Sequence, residues 1–268
     1  IYSSLLALVL SENSLDYAQV PALEIKRSLG ITRGKSDKVD AKEIAHYAKR
    51  NTDKIALSTL PELSLQQLKI VFAEREKTVA AIKTFERTKE NEMFLTKEVF
   101  NSVKAINNQT VKHLKKQLVM LDEKIRTLIR EDENLYGQQQ LLKSIPGIGD
   151  ITSVYILMAT KGFTAFTSGR KFACYSGVAP FEHSSGTSIK GKTRVSHLAD
   201  KKMKTLLHMA SLTAIKYDPE LKDYYNRKKA EGKHTMLVLN NIKCKMVYRI
   251  FAVIQRKSNF VNLHKFAA

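Results

Sequence analysis

The chain has 268 residues and 30.4 kDa with 43% apolar residues, enough for one large or two ordinary domains with a proper core. Two cysteines, Cys174 and Cys244, exclude a disulfide scaffold and a zinc finger and fit a reducing cytoplasm, while the apolar run Leu5 to Leu10 is too short to span a bilayer. Lys plus Arg total 45 against 26 Asp plus Glu, a net charge of +19, of which residues 144–268 carry +14. So one-sided an excess reads as a surface for a polyanion, DNA or RNA; a generally solubilising surface is the plainer alternative.

Residue 1 is Ile and the chain opens directly into an apolar helical pattern, from which an N-terminally truncated chain is expected. Tyr2 to Ser11 reads as a helix, Tyr17 to Val20 as a short strand ended by Pro21, and Ala22 to Leu29 as a second helix before a Gly30 to Gly34 turn. Residues 1–58 are therefore expected to be a piece of an α/β layer, with a further helix over Asp37 to Arg50. Beyond Leu60-Pro61, Ser64 to about Phe100 and Gln109 to Ile129 read as two long helices joined at Asn101 to Gln109. In the second, Val111, Leu114, Leu118, Leu121, Ile125 and Leu128 step by alternating threes and fours; in the first, Leu65, Leu68, Phe72, Val79 and Ile82 form a matching seam broken by Arg75. Residues 59–135 are expected to be an antiparallel coiled-coil hairpin that pairs within the chain or between subunits. Residues 136–258 read as a mostly helical domain of short helices separated by Gly and Pro, and 259–268 as a loose tail.

Three constellations could carry chemistry. Leu141 to Asp150 resembles a helix-hairpin-helix turn, in which Pro146, Gly147 and Gly149 expose backbone N–H groups to a phosphate; a tight turn touching nothing fits as well. Asp37 and Asp40, three apart at a helix start, put two carboxylates on one face, as Mg²⁺ ligands would need, but an ordinary capped N-terminus explains them more economically. Gly177 to Arg194 reads as a polar loop with paired serines ahead of Lys190, Lys192 and Arg194. A serine oxygen there could attack phosphorus with Lys192 and Arg194 offsetting the charge; His183 is nearby as a possible base, though a lone loop histidine is usually incidental. Lys201, Lys202 and Lys204 extend the basic face, and Cys174 reads as packed rather than reactive.

From residue 1 to about 257 the combination resembles the DEDD transposases of the insertion-sequence 110 family. Lys35-Ser-Asp37-Lys-Val-Asp40-Ala41 is similar to that family's Lys-Thr-Asp-x-x-Asp-Ala element, and Pro146-Gly-Ile-Gly149 followed by Phe172-Ala-Cys-Tyr-Ser-Gly177-Val-Ala-Pro180 and Ser185-Gly186 matches its second domain in order and spacing. The resemblance implies a partial RuvC-like, ribonuclease-H-type domain, a helical hairpin and a serine-bearing domain. It further implies DNA recombination through a transient phosphoserine at Ser185, an element-encoded guide RNA, Mg²⁺ at Asp37 and Asp40, and a homo-oligomer. The family's first Asp and its Glu are expected before residue 1, which would leave the four-carboxylate site half present. Two other readings stay open: a metal-dependent RuvC-like nuclease or junction resolvase, and a non-catalytic nucleic-acid-binding protein.

Overall fold

The computed structural model describes residues 2–28, 30, 36–185, 189–195 and 198–262, and most of them are helical. They divide into two units, Ile1–Glu62 and Leu63–Ala268.

The first unit holds α1 (Tyr2–Glu12), α2 (Ala22–Ser28) and α3 (Asp37–Arg50). Helix α3 starts where the sequence places it because the Ser36 hydroxyl accepts from the Val39 N–H at 3.3 Å, satisfying a donor that the helix itself leaves free. Tyr47, the buried side chain of α3, donates its hydroxyl to Glu24 of α2 at 2.7 Å. Tyr17 to Val20, expected as a short strand, forms no strand and pairs with none among the described residues. Its ties are to Ser58, whose N–H donates to the Tyr17 carbonyl at 2.8 Å and whose hydroxyl accepts from the Gln19 N–H at 2.9 Å. Four residues closed by a proline cannot hold a sheet alone, so the α/β layer expected for residues 1–58 has no sheet among the described residues. Leu5, Leu6, Leu8 and Val9 of α1 are exposed.

The second unit opens with α4 (Leu63–Glu86), a 3₁₀ turn over Arg87–Phe94 and α5 (Lys97–Arg130), an antiparallel hairpin. The connection expected at Asn101 to Gln109 is helical instead, and the break falls before Lys97. Asn101 and Asn108 lie exposed on α5, while Phe100 and Val111 are buried; packing overrides the low helix propensity of the asparagines. Arg75 interrupts the apolar seam without breaking it, because its Nε donates to Asp122 of α5 at 2.6 Å.

Helices α6 (Glu133–Lys143), α7 (Asp150–Thr160), α8 (Gly169–Tyr175), α9 (Lys201–Tyr217), α10 (Pro219–Ala230) and α11 (Thr235–Arg256) follow. Helix α11 is the core's axis: Ile242, Met246, Val247, Ile250 and Val253 are fully buried against Met203 and Leu207 of α9 and Phe172 of α8. The same core runs into Leu65, Leu68 and Phe72 of α4 and Ile125 and Leu128 of α5, so the base of the long hairpin is continuous with the C-terminal helices. Between α8 and α9, the stretch read as a loop forms strands β1 (Phe181–Ser185) and β2 (Ile189–Arg194), paired antiparallel. The tail is tied down as far as residue 262. Phe260 donates its N–H to the Ser144 hydroxyl at 2.8 Å, and the Arg249 guanidinium lies 4.8 Å from the centre of its ring. Among the described residues no helix is long and apolar enough to cross a membrane.

Candidate active site and nucleic-acid interface

The β1–β2 hairpin is held at both roots. On the outgoing side, Gly177 turns the chain at φ +65°, and a Cβ there would run into the methyl of Ala199 on the return side. Asn240 of α11 donates to the Val178 carbonyl at 2.8 Å. On the return side Asp200 does three jobs. Its N–H donates to the Tyr175 carbonyl at 2.9 Å, its Oδ1 accepts from the Met203 N–H at 2.9 Å and so caps α9, and its Oδ2 accepts from Tyr155 and Tyr175 hydroxyls at 2.9 and 2.8 Å. Burial, and then the hydrogen bond to this carboxylate, push both phenols well above the ordinary value of 10.0.

Ser185 closes β1. It pairs with Ile189, Ser184 with Lys190, His183 with Gly191 and Phe181 with Arg194, with an irregularity between Phe181 and His183. The connecting residues, Gly186 among them, lie outside the described residues, as do Lys35 and the Gly30 to Gly34 turn apart from Gly30 itself. The backbone therefore sets Ser185 at the far end of a pinned hairpin, with Lys190, Lys192 and Arg194 at positions of one parity on β2. The side chains of Ser185, His183, Lys190, Lys192 and Arg194 lie outside the described part of the structure.

Asp37 and Asp40 are both exposed in the first turn of α3, so they share a helix face, but in the other unit from Ser185. Among the described residues no third His, Cys, Asp or Glu joins them in a group able to hold a metal ion. Mg²⁺ keeps several of its own waters and takes one or two protein carboxylates, so Asp37 and Asp40 could supply part of a site that substrate phosphates would complete.

The basic candidates divide. Lys201 is exposed at the start of α9 and Lys204 is half-buried, its Cδ 3.7 Å from where a Gly177 Cβ would stand. Lys202 is paired with Glu76 of α4, whose neighbour Arg75 bridges to Asp122, so this cation joins α9 to the long hairpin instead of standing free for a phosphate. The Pro146 to Gly149 turn is likewise shared out. Gly147, at φ +94°, lies against α9, where a Cβ would drive into the Ala210 carbonyl and stand 3.0 Å from the Ala214 N–H nitrogen. Packing against α9 thus gives position 147 its own need for glycine, apart from any phosphate contact. Gly149 is exposed with nothing within 4 Å of its missing Cβ; it precedes α7, where Asp150 pairs with Lys143 at 2.5 Å. The sequence reading missed Asp200, Tyr155, Tyr175 and Asn240. Of these only Asp200 had a local signal, an aspartate just ahead of a helical run.

A hairpin that ends on Ser185 and carries three basic positions of one parity, in a half-chain with a net charge of +14, suits a protein that works on nucleic acid. Comparison with known proteins narrows this. A transposase family model of the DEDD type matches residues 1–91, and the model described as the transposase IS116/IS110/IS902 family matches residues 139–226. The chain is similar to the pilin gene-inverting protein of Moraxella bovis, 29% identical over 236 residues that cover 87% of this chain and 70% of that one. It is also similar to the IS900 uncharacterized 42 kDa protein of Mycobacterium paratuberculosis, 33% identical over 134 residues covering 48% of this chain and 33% of that one. These findings define a DNA transposase or recombinase, an enzyme whose partner is DNA. The chain belongs to the IS110/IS116/IS902 family of transposases.

Two expectations follow. Gly147→Ala should destabilise the fold by about 3 kcal/mol in denaturant unfolding, from a strained φ and a clash with helix backbone, whereas Gly149→Ala should change stability by less than about 0.5 kcal/mol. Equal effects would contradict the placement of Gly147 against α9. For Tyr155 and Tyr175, the folded phenols hold their protons above the pH at which the unfolded chain releases them. Their contribution is complete below pH 10.0 and is lost as pH rises past it, so unfolding measured from pH 9 upward should show a loss of stability that Tyr155→Phe/Tyr175→Phe shares less.

Proposed function

We propose that this transposase cuts and rejoins DNA through Ser185. Its hydroxyl oxygen attacks a backbone phosphorus, forming a Ser–O–P bond as the P–O bond to one DNA end breaks; that end leaves as a hydroxyl. The hydroxyl of another strand then attacks the phosphoserine, which restores Ser185 and joins the strands without ATP. Lys192 and Arg194 offset charge on the phosphoryl oxygens. The observation that carries this reading is the position of Ser185 at the end of a hairpin fixed at both roots, which holds a nucleophile out from a rigid base. A relative named for inverting a gene supports it, because inversion requires every cut end to be rejoined.

Gly147, Gly149, Lys190, Lys192, Arg194, Lys201 and Lys204 are assigned to phosphates of DNA or of an element-encoded guide RNA, and the charge of +14 over residues 144–268 supports such a surface. With target choice delegated to base pairing, the protein reads backbone shape. Unit 1 is read as part of a RuvC-like domain, with Asp37 and Asp40 as two of the ligands of a Mg²⁺ site that needs further oxygens. The enzyme acts in the cytoplasm as a homo-oligomer. Met93, Phe94, Val103 and Ile106 are exposed at the far end of the α4–α5 hairpin, an apolar patch suited to a second copy.

The composite arrangement, in which Ser185 of one subunit serves Asp37 and Asp40 of another, is tested by mixing Ser185→Ala and Asp37→Ala enzymes, each expected to be inactive alone in strand transfer. Recovery of activity in the mixture is the expected outcome. No recovery, with mixed oligomers demonstrated by differential tagging, would exclude a shared site.

A further inference from the structure

Lys243 of α11 is only 3% exposed, a rare state for a lysine, and among the described residues it has neither a hydrogen bond nor an ion pair. The apolar stem is enclosed while the ammonium has no counter-charge among the described residues, which leaves that cation free for a partner of opposite charge. Lys243 lies one helical turn beyond Asn240, the residue that holds the Val178 carbonyl at the outgoing root of the β-hairpin. Lys204 of α9 reaches the same root from the other side, with its Cδ 3.7 Å from the Cβ position of Gly177. Lys204 also has no ion pair or hydrogen bond among the described residues. The nearest carboxylate in sequence, Asp200, has its Oδ1 on the Met203 N–H and its Oδ2 on two tyrosines.

The two cations sense one another. Burial first, and then the charge of Lys204, lowers the Lys243 pKa from its ordinary value. The site is also open. Gln138 Oε1 is the one fully enclosed polar side-chain atom without a partner among the described residues, so the Lys243 ammonium keeps some contact with solvent.

We propose that Lys204 and Lys243 form a phosphate-binding pair at the root of the serine hairpin, which takes one backbone phosphate of the DNA being recombined. The assignment rests on the proposed role of the hairpin. It places a DNA strand along β1 and β2 from Ser185 down to the core, so that one phosphate is anchored at the base while another is presented at the tip. A lysine pair serves as point charges without reading sequence.

The test is the salt dependence of binding of the enzyme to duplex DNA carrying an element end. In Lys243→Met, which keeps the length and apolar stem, the slope of log affinity against log salt should fall in magnitude by about 0.9, the value of one phosphate contact. Affinity should drop about tenfold at moderate salt with no loss of thermal stability. Lys204→Met, at a half-buried position where folding is safe, should lower the slope by the same amount, and the double variant by no more than two contacts. An unchanged slope in Lys204→Met and in folded Lys243→Met overturns the proposal. Ser185→Ala, run beside them, separates the two readings: it should keep the wild-type slope while losing strand transfer. If it keeps strand transfer the role of the serine fails, and a slope change in the lysine variants would then still support the phosphate pair.

Discussion

A single carboxylate, that of Asp200, sets where the serine hairpin stands. It caps α9, receives hydroxyls from α7 and α8, and closes the return of the chain through its own N–H. Hydrogen bonds to a charged group are worth about 1.5–3 kcal/mol each, and removing the acceptor would leave the half-buried Tyr155 hydroxyl without its partner. The constraint matters because a two-stranded hairpin has little stability of its own. What fixes this one is the closure of its base: Asp200 on Tyr175, Ala199 against Gly177, and Asn240 on Val178.

The same economy governs the charges. Several cations are structural, Lys202 of the expected basic face among them. Lys202 is held by Glu76, Arg75 by Asp122, and Arg249 by the buried Asp218 and by Glu220. These pairs dock the long hairpin on α9 and fasten α11 to the start of α10. The cations left over are spread along the C-terminal half, and some of them stand beside the hairpin. Lys201 stands exposed at the start of α9, while the stem of Lys204 lies against Gly177 at the hairpin's base.

The helices of the second unit were largely legible because their signals are local: Ser168, Asp200 and Asp218 accept from the N–H groups that start α8, α9 and α10, and apolar residues recur at helical spacing. Helix α3 was legible for the same reason, through Ser36. The β-hairpin was not. Phe181 to Arg194 lacks the alternation of apolar and polar residues that marks a strand, because its stability comes from contacts at its roots with residues far away in sequence, such as Asn240. The start of α5 was misread at Asn101 because intrinsic propensity spoke against a helix that tertiary packing of Phe100 supports. Of the site, the motif carried Ser185, Asp37 and Asp40, but no local pattern marks Tyr155, Tyr175 or Lys243, whose roles exist only once three helices meet.

The central claim is a covalent bond from Ser185 to DNA, and it can be observed directly. The enzyme is incubated with its RNA and element-end duplex, quenched in denaturant, digested with protease and nuclease, and the peptide spanning Phe181 to Arg194 is analysed by mass spectrometry. The account requires a nucleotide remnant on Ser185 that is missing from Ser185→Ala. DNA cut and rejoined with no adduct on that peptide, or with the adduct on another residue, would contradict it.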